Sequence, residues 1–421
     1  MKPYCIISLF TVLCFHAYTQ QLDDSFSRDG IWILRNPEMT SSQIVDYKLT
    51  TDHKLIVLHQ SEIKRSITRL LPDGQRDEQF SFDYQLFDNA GTTPVAISTT
   101  ADNDIVVLAN LWNGTTWVIN IHTFDAMGEL NTQFGQNGSY IKSLTKDQYD
   151  NYGQYLYTTA NDDIVVVAKI NDFSVSTTEH NIATLRLSKY GKTISQGVYA
   201  NRCQQINSAA MQDDYLLLAY SETQEDELDQ TTRVASWQTD QSYHQELHCL
   251  SSEEEFSATD QIELSKNNFY IAQIISDAEA LYRIGKYDLN GNRDTSFTDN
   301  GHIGGDSDIF NSRFVVTPSG EIFVVSMSLD NEFDIHIKKL NVDGTIDDVF
   351  GTHGIATIRL NNPVEQLHKI RLDTQNRLYI SGNMAVGGNS FGFIARVKPD
   401  VLQLKKQKLD DFISTLFTKG E

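Results

Sequence analysis

Apolar and polar positions alternate with a period of two along nearly the whole chain beyond residue 40, in short runs rich in Val, Ile, Leu, Tyr and Phe. Residues two apart in a strand share a face, so the pattern predicts strands. The runs are broken by Asp-Gly, Asn-Gly or Lys-Tyr-Gly bends, residue types that accept positive φ at low cost. A longer period is superimposed. A short polar turn followed by an apolar strand occurs seven times, the strands starting at Leu55, Ile105, Ile164, Tyr215, Phe269, Ile322 and Leu378, a mean step of about 54 residues.

Each of these strands is followed by an alternating strand and, in the best copies, by a turn that ends in phenylalanine. The copies are Phe26, Phe80, Phe134, Phe297 and Phe350, at intervals of 54, 54, 163 and 53. The long interval is close to three periods, so two middle copies keep their strands but have lost the Phe. In the sixth unit four strands are expected, at Asn311–Thr317, Ile322–Met327, Phe333–Leu340 and Gly354–Leu360. One such sheet has two faces to bury and open edges, and radial packing of several sheets solves both problems. The chain is therefore expected to be all-β, a seven-bladed β-propeller of four-stranded antiparallel blades. The seventh unit runs out after Phe391–Val397 without an outer strand, whereas Gly30–Arg35, preceded by its own Leu22–Phe26 turn, is a spare copy. That N-terminal strand is expected to pair with the last blade and close the ring.

The fullest corner lies in Lys339–Ile358: Asp343-Gly344, Asp347, Phe350-Gly351 and Gly354. It resembles the repeat of the delta-60 family of bacterial β-propellers, and the copy with Gly291, Asp294, Phe297 and Gly301 is similar. The resemblance implies the propeller and no particular activity. Its Asp positions recur in every good copy. Asx turns, in which the carboxylate accepts backbone N–H groups, account for them more simply than calcium, even in the oxygen-rich run Asp288, Asn290, Asn292 and Asp294.

Composition narrows the partners. Fifty-six acidic against 34 basic residues give a formal charge of −22, a field that repels phosphate backbones and argues against nucleic acid. Met1-Lys2, the apolar run Cys5–Phe15 and the small residues Ala17 and Thr19 predict a cleaved signal peptide over residues 1–19. The propeller is expected over 20–400, and no later stretch is apolar enough to span a membrane, so the product should be secreted or periplasmic. Residues 401–421, with Leu402, Leu404, Leu409, Ile413 and Phe417 near helical spacing, are expected to form a terminal tail with a short helix. Cys203 and Cys249, the two cysteines left after cleavage, are either a disulfide or small buried hydrophobes.

Candidate chemistry is sparse. No nucleophile elbow, P-loop or dinucleotide fingerprint is present, and His244, Glu246 and His248 lack the order and helical setting of a zinc protease. No cofactor or metal is expected. The most unusual stretch is 222–255, with ten acidic residues against Arg233 alone. Glu222, Glu225, Asp226, Glu227, Asp229, Glu253, Glu254 and Glu255 are its candidate binding residues. The reading is an exported, non-enzymatic binding or scaffold propeller that recognises a protein or glycan. Its rival is a hydrolase or lyase acting in the axial channel. Convergence there of Asp46, Lys48, Tyr155, Tyr157, Glu263 and Arg371 as paired acids and bases would favour the rival.

Overall fold

The computed structural model describes residues 22–398 apart from 36–39, 63, 83–86, 88–90, 146–148, 172–179, 224–229, 240–247, 251–258, 276–280, 299–301, 304–310 and 329–333, with twenty-six strands numbered β1–β26 in chain order. The expected signal peptide and C-terminal tail lie outside the described residues.

The seven periodic runs become the second strand of seven blades: β3 (Leu55–Ser61), β6 (Ile105–Trp112), β10 (Ile164–Asn171), β13 (Tyr215–Thr223), β17 (Asn268–Ile275), β21 (Ile322–Met327) and β25 (Leu378–Val386). Each is covered on both faces by neighbouring blades, so it reads as a continuous apolar run rather than an alternating one. Inside them, lining the axis, run β2 (Ser42–Leu49), β5 (Thr92–Thr99), β9 (Asp150–Thr158), the second part of β12 (Thr193–Gln212), β16 (Thr259–Ser265), β20 (Arg313–Val316) and β24 (Val364–Leu372). Outside them lie β4 (Arg65–Leu70), β7 (Trp117–Phe124), β11 (His180–Leu187), β14 (Gln230–Gln238), β18 (Leu281–Asp288), β22 (Asp334–Leu340) and β26 (Asn389–Val397). The fourth strands are β8 (Ser139–Lys142), the first part of β12, β15 (His248–Leu250), β19 (His302–Ile303), β23 (Ile355–Arg359) and β1 (Ile31–Ile33). The corresponding stretch of the first blade is largely outside the described residues.

The protein is thus a seven-bladed β-propeller, and the ring is closed as expected. Strand β1 pairs antiparallel with β26, Ile31 opposite Ala395 and Ile33 opposite Phe393. Seven hydrophobic clusters, one at each joint between neighbouring blades, make up the core of the described residues. The closing joint sets Tyr379 and Ile394 of the last blade against Ile44, Tyr47 and Val57 of the first.

Two details depart from a uniform repeat. The third and fourth blades share β12, a twenty-residue strand that no Asp-Gly bend interrupts. It changes sheets through irregularities in its pairing with β13, between Cys203 and Gln205 and between Ile206 and Ser208. The possible Cys203–Cys249 disulfide is not formed. The two residues sit on β12 and β15, three strand spacings or at least about 14 Å apart, beyond the reach of a bridge. Cys203 is instead buried in the joint between the third and fourth blades.

The corner motif is an inter-blade joint. Its carboxylates close Asx turns: Asp343 accepts from the N–H of Thr345, and Asp347 from that of Val349. In the calcium-like run, Asp288 accepts from the N–H groups of Asn290 and Asn292, and Asp294 from that of Ser296. The Phe is buried, and the Asp-Gly bend of the next blade packs on it. A Cβ at Gly344 (φ 82°) would lie 2.9 Å from the Phe297 ring and 2.5 Å from Thr298 Oγ1. Gly74 meets Phe26, Gly128 meets Phe80 and Gly191 meets Phe134 in the same way. Backbone bonds fasten the joint, from Ser81 N to Met127 O (3.1 Å), Gly135 N to Tyr190 O (3.0 Å) and Thr298 N to Asp343 O (3.0 Å).

A cation of the third strand completes most of these joints. Position by position, Arg69, Thr123, Arg186, Trp237, Lys286, Lys339 and Arg396 are equivalent, each opposite the residue that follows the first apolar one of its neighbouring strand. Arg69 pairs with Asp77 (2.8 Å), Lys286 with Asp294 (2.9 Å), Lys339 with Asp347 (3.0 Å) and Arg396 with Asp23 (2.7 Å). Arg69, Lys286 and Arg396 also stand over Phe80, Phe297 and Phe26.

Candidate functional site

The innermost strands carry polar residues at i and i+2: Asp46 and Lys48 on β2, Tyr155 and Tyr157 on β9, Gln261 and Glu263 on β16, Lys369 and Arg371 on β24. This spacing puts each pair on one face of its strand, here the face toward the axis. Pairing irregularities recur between Ile44 and Asp46, Pro94 and Ala96, Thr259 and Gln261, and Leu367 and Lys369. Such bulges re-aim side chains, and in this ring they set the angle at which polar groups enter the channel.

The result is an axial cavity of about 380 Å³, lined from several blades by Asp46, Lys48, Tyr157, Glu263, Lys369 and Arg371 among others. Asp46 is its anchor. Its carboxylate accepts from the backbone N–H of Tyr47 (2.8 Å) and Ile97 (3.1 Å), from Lys369 Nζ (2.8 Å) and from Arg371 Nη2 (3.4 Å). Burial alone would raise this carboxyl; Lys369 and Arg371 outweigh it and hold the group well below the usual carboxylate range. Arg371 lies over the Tyr47 ring, 5.5 Å from its centre. The Tyr155 and Tyr157 hydroxyls donate to the carbonyls of Asn207 (3.0 Å) and Ala209 (2.7 Å), tying the third blade to the fourth.

Across the cavity the charges are less satisfied. Burial pushes the Lys48 ammonium down to about 7, and the Arg371 guanidinium adds to the effect. Burial likewise raises the Glu263 carboxyl, although Gln261 donates to it at 2.8 Å. Both side chains have accessible surface, but it faces the axial cavity, so their charges remain poorly solvated. Three buried polar atoms of the lining have no hydrogen-bond partner: Arg371 Nε, His368 Nε2 and Gln154 Oε1. Orphaned polar atoms on the wall of a polar cavity are what a bound ligand would satisfy.

The six residues expected to test for channel chemistry therefore converge, with several acid–base equilibria displaced. Lys369, Gln154, Gln261, Arg313 and His368 were not singled out from the sequence, although the period-two rule applied to Arg371 points to Lys369. The acidic candidates are a different matter. Glu222 is on β13 with only its backbone described, and Glu225, Asp226, Glu227, Asp229, Glu253, Glu254 and Glu255 lie outside the described residues, as do His244 and Glu246. Among the described residues, no three His, Cys, Asp or Glu side chains are grouped as a metal site, and no helix is long and apolar enough to cross a membrane.

No family model and no curated protein sequence matches the chain. Solved structures do. A prolyl endopeptidase aligns with a TM-score of 0.52 at 10% identity over 86% of this chain, which spans about half (51%) of the endopeptidase. The polysaccharide lyase Uly1 aligns at 0.49 with 8% identity, covering 85% of this chain and 90% of the lyase. The β-propeller domain of the Trilobed protease from Pyrococcus furiosus aligns at 0.49 with 7% identity, covering 84% and 95%. At such identities the likeness shows the propeller fold alone.

Proposed function

We propose that this chain is an exported binding propeller of the delta-60 repeat type whose ligand site is the axial channel, and that the ligand carries a carboxylate or similar anion. The observation that carries this reading is charge. Lys48, Arg313, Lys369 and Arg371 line the cavity against only Asp46 and Glu263, in a chain whose formal charge is −22. A cationic pocket within an acidic molecule focuses anions into itself. Arg371, already oriented by Asp46, keeps a buried Nε without a partner and presents a planar fork suited to a carboxylate. The tyrosines and glutamines along the wall suit hydroxyl-rich ligands, which makes acidic oligosaccharides the class to test first.

Titration calorimetry with uronate oligosaccharides, beside their neutral counterparts, tests the reading. Saturable binding of the acidic series, weakened at least tenfold in Arg371→Gln, is expected. Equal binding of acidic and neutral sugars, or none of either, would sink it.

A second reading, the channel enzyme that the convergence of Asp46, Lys48, Tyr155, Tyr157, Glu263 and Arg371 favours, rests on Lys48. An amine close to neutrality, facing a buried carboxyl of raised pKa, is the pairing that general acid–base chemistry requires. With a uronate bound on Arg371, Lys48 would remove the proton α to the carboxylate and a lining acid would protonate the departing oxygen. The product gains a carbon–carbon double bond and loses the leaving alcohol. Appearance of ultraviolet absorbance from unsaturated uronyl ends, lost in Lys48→Met, distinguishes a lyase from a binding protein.

A further inference from the structure

Where the third strand carries Arg or Lys in five blades, the second blade carries Thr123. The corner carboxylate that pairs with the cation elsewhere, as in Asp77, Asp294 and Asp347, is replaced there too, by Asn131, while Asp104 stays. Thr123 is only 5% exposed, and its Oγ1 is buried without a hydrogen-bond partner. It lines a cavity of about 260 Å³ between the second and third blades, together with Asp102, Asp104, Asp162, Asn131 and Tyr190. Burial raises the Asp104 carboxyl, and Asp102, Asp125 and Asp162 raise it further. The only lysine on the wall, Lys189, is exposed at the rim with its ammonium 5.7 Å from the centre of the Tyr190 ring.

The adjacent blade shows what the cavity is shaped for. Arg186 occupies the position equivalent to Thr123, and Asp163 the position equivalent to Asp104. The Arg186 guanidinium donates through Nε (3.0 Å) and Nη2 (2.7 Å) to Asp163, and through Nη1 to Asp214 (3.0 Å). In the second blade Asp104 remains at the equivalent of Asp163, and the guanidinium is gone.

We infer that the cavity beside Thr123 is a recognition site for a guanidinium group supplied by another molecule, which takes the place that Arg69, Arg186 and Arg396 fill in their own blades. The Thr123 hydroxyl, with no partner in the protein, is free to accept one of its N–H groups, and Asp104 the charge. Tyr190, 67% exposed, offers a face on which the planar group stacks. A guanidinium presents five donors in a fixed fork and is weakly hydrated, so it enters a partly enclosed site at lower cost than an ammonium. A metal fits less well, because the described carboxylates do not converge as a ligand set. The guanidinium can arrive on a free small molecule or on an arginine side chain of a peptide, and the chemistry recognised is the same.

The experiment uses the full chain, titrated with agmatine and with an end-blocked peptide containing one arginine. The same peptide with norleucine at that place, and calcium chloride, are run in parallel. Saturable one-to-one binding of a guanidinium probe is expected, with no binding of the norleucine peptide. Thr123→Arg should abolish it and raise the melting temperature without ligand, because the chain then fills its own site. Asp104→Asn, which removes the charge without adding bulk, should weaken binding at least tenfold. A peptide that binds more tightly than agmatine identifies a protein partner; equal affinities identify a small solute. Failure of both probes to bind, unchanged affinity in Asp104→Asn, or tighter binding of calcium than of guanidinium would overturn the inference.

Discussion

Lys48 is the residue at which the chemistry of the ring is most exposed to test. Its folded-state pKa of about 7 lies below the 10.5 of a free lysine, so between those values the unfolded chain binds more protons than the folded one. Stability contributed at this position therefore rises as pH increases from about 7 toward 10.5, and the cost of the buried ammonium is fully present below 7. Lys48→Met is expected to raise the melting temperature at pH 6 and to change it little near pH 10. A gain that is the same at both values would show that Lys48 is not desolvated. The bends offer a second test. His53, Asn103, Asp162, Asp213, Lys266 and Asn376 all have positive φ at the turn between first and second strands, where the fifth-unit bend uses a lysine. Left-handed backbone costs a β-carbon about 1–2 kcal/mol, so Lys266→Gly should stabilise the fold by up to about 1 kcal/mol, measured by chemical denaturation.

Among the elements, the corner was the most legible in the sequence, and its purpose the least. The Asp, Phe and Gly spacing is local, so the string shows it, and the Asx turns follow from residue type alone. What the spacing does not show is that Phe297 and Gly344, in different units, touch each other, because that contact exists only once the blades are stacked. The same limit explains the channel. Asp46 and Lys369 stand 323 positions apart, and each looks like one more exposed polar residue until ring closure brings them to 2.8 Å. Glu222–Glu255 drew attention because composition is visible in a string and convergence is not. Gly344→Ala should cost about 2–4 kcal/mol, combining a left-handed β-carbon with a clash against Phe297 and Thr298. Arg396→Met leaves Asp23 buried beside it. Burial works to raise that carboxyl, and Ser25 with Arg396 holds it down. Losing the guanidinium should cost about 3–5 kcal/mol, with part regained in the double variant Asp23→Asn, Arg396→Met. A loss in the double variant equal to the sum of the losses in Asp23→Asn and Arg396→Met alone would show that the pair does not couple.

For the whole molecule the decisive feature is closure. Each blade packs on two neighbours, so seven similar joints share the load, and a ring opened at one of them loses cooperativity as well as a contact. The joint between the last and first blades has something the other six lack, a strand borrowed from the chain start. Strand β1 supplies the missing edge of the seventh sheet. Leu34 N donates to Gly392 O (2.8 Å) and Arg396 N to Gly30 O (2.9 Å), while Phe26 is fully buried in the cluster that joins the two blades. Removing residues 20–36 takes away Phe26, Ile31, Trp32 and Ile33, each worth about 1.5–3 kcal/mol where buried, and strands Arg396 without Asp23. A chain that begins at residue 37 is expected to unfold at a markedly lower temperature and to be cut first in the last blade by limited proteolysis. A chain that begins at Gln20 keeps every one of these contacts and should match the full sequence. Because Asp46 of the first blade and Lys369 and Arg371 of the last meet across this same joint, the shorter chain should lose channel binding even at temperatures where it stays folded. If its melting temperature and its affinity for an acidic oligosaccharide both equal those of the full chain, closure by β1 contributes neither to stability nor to the site.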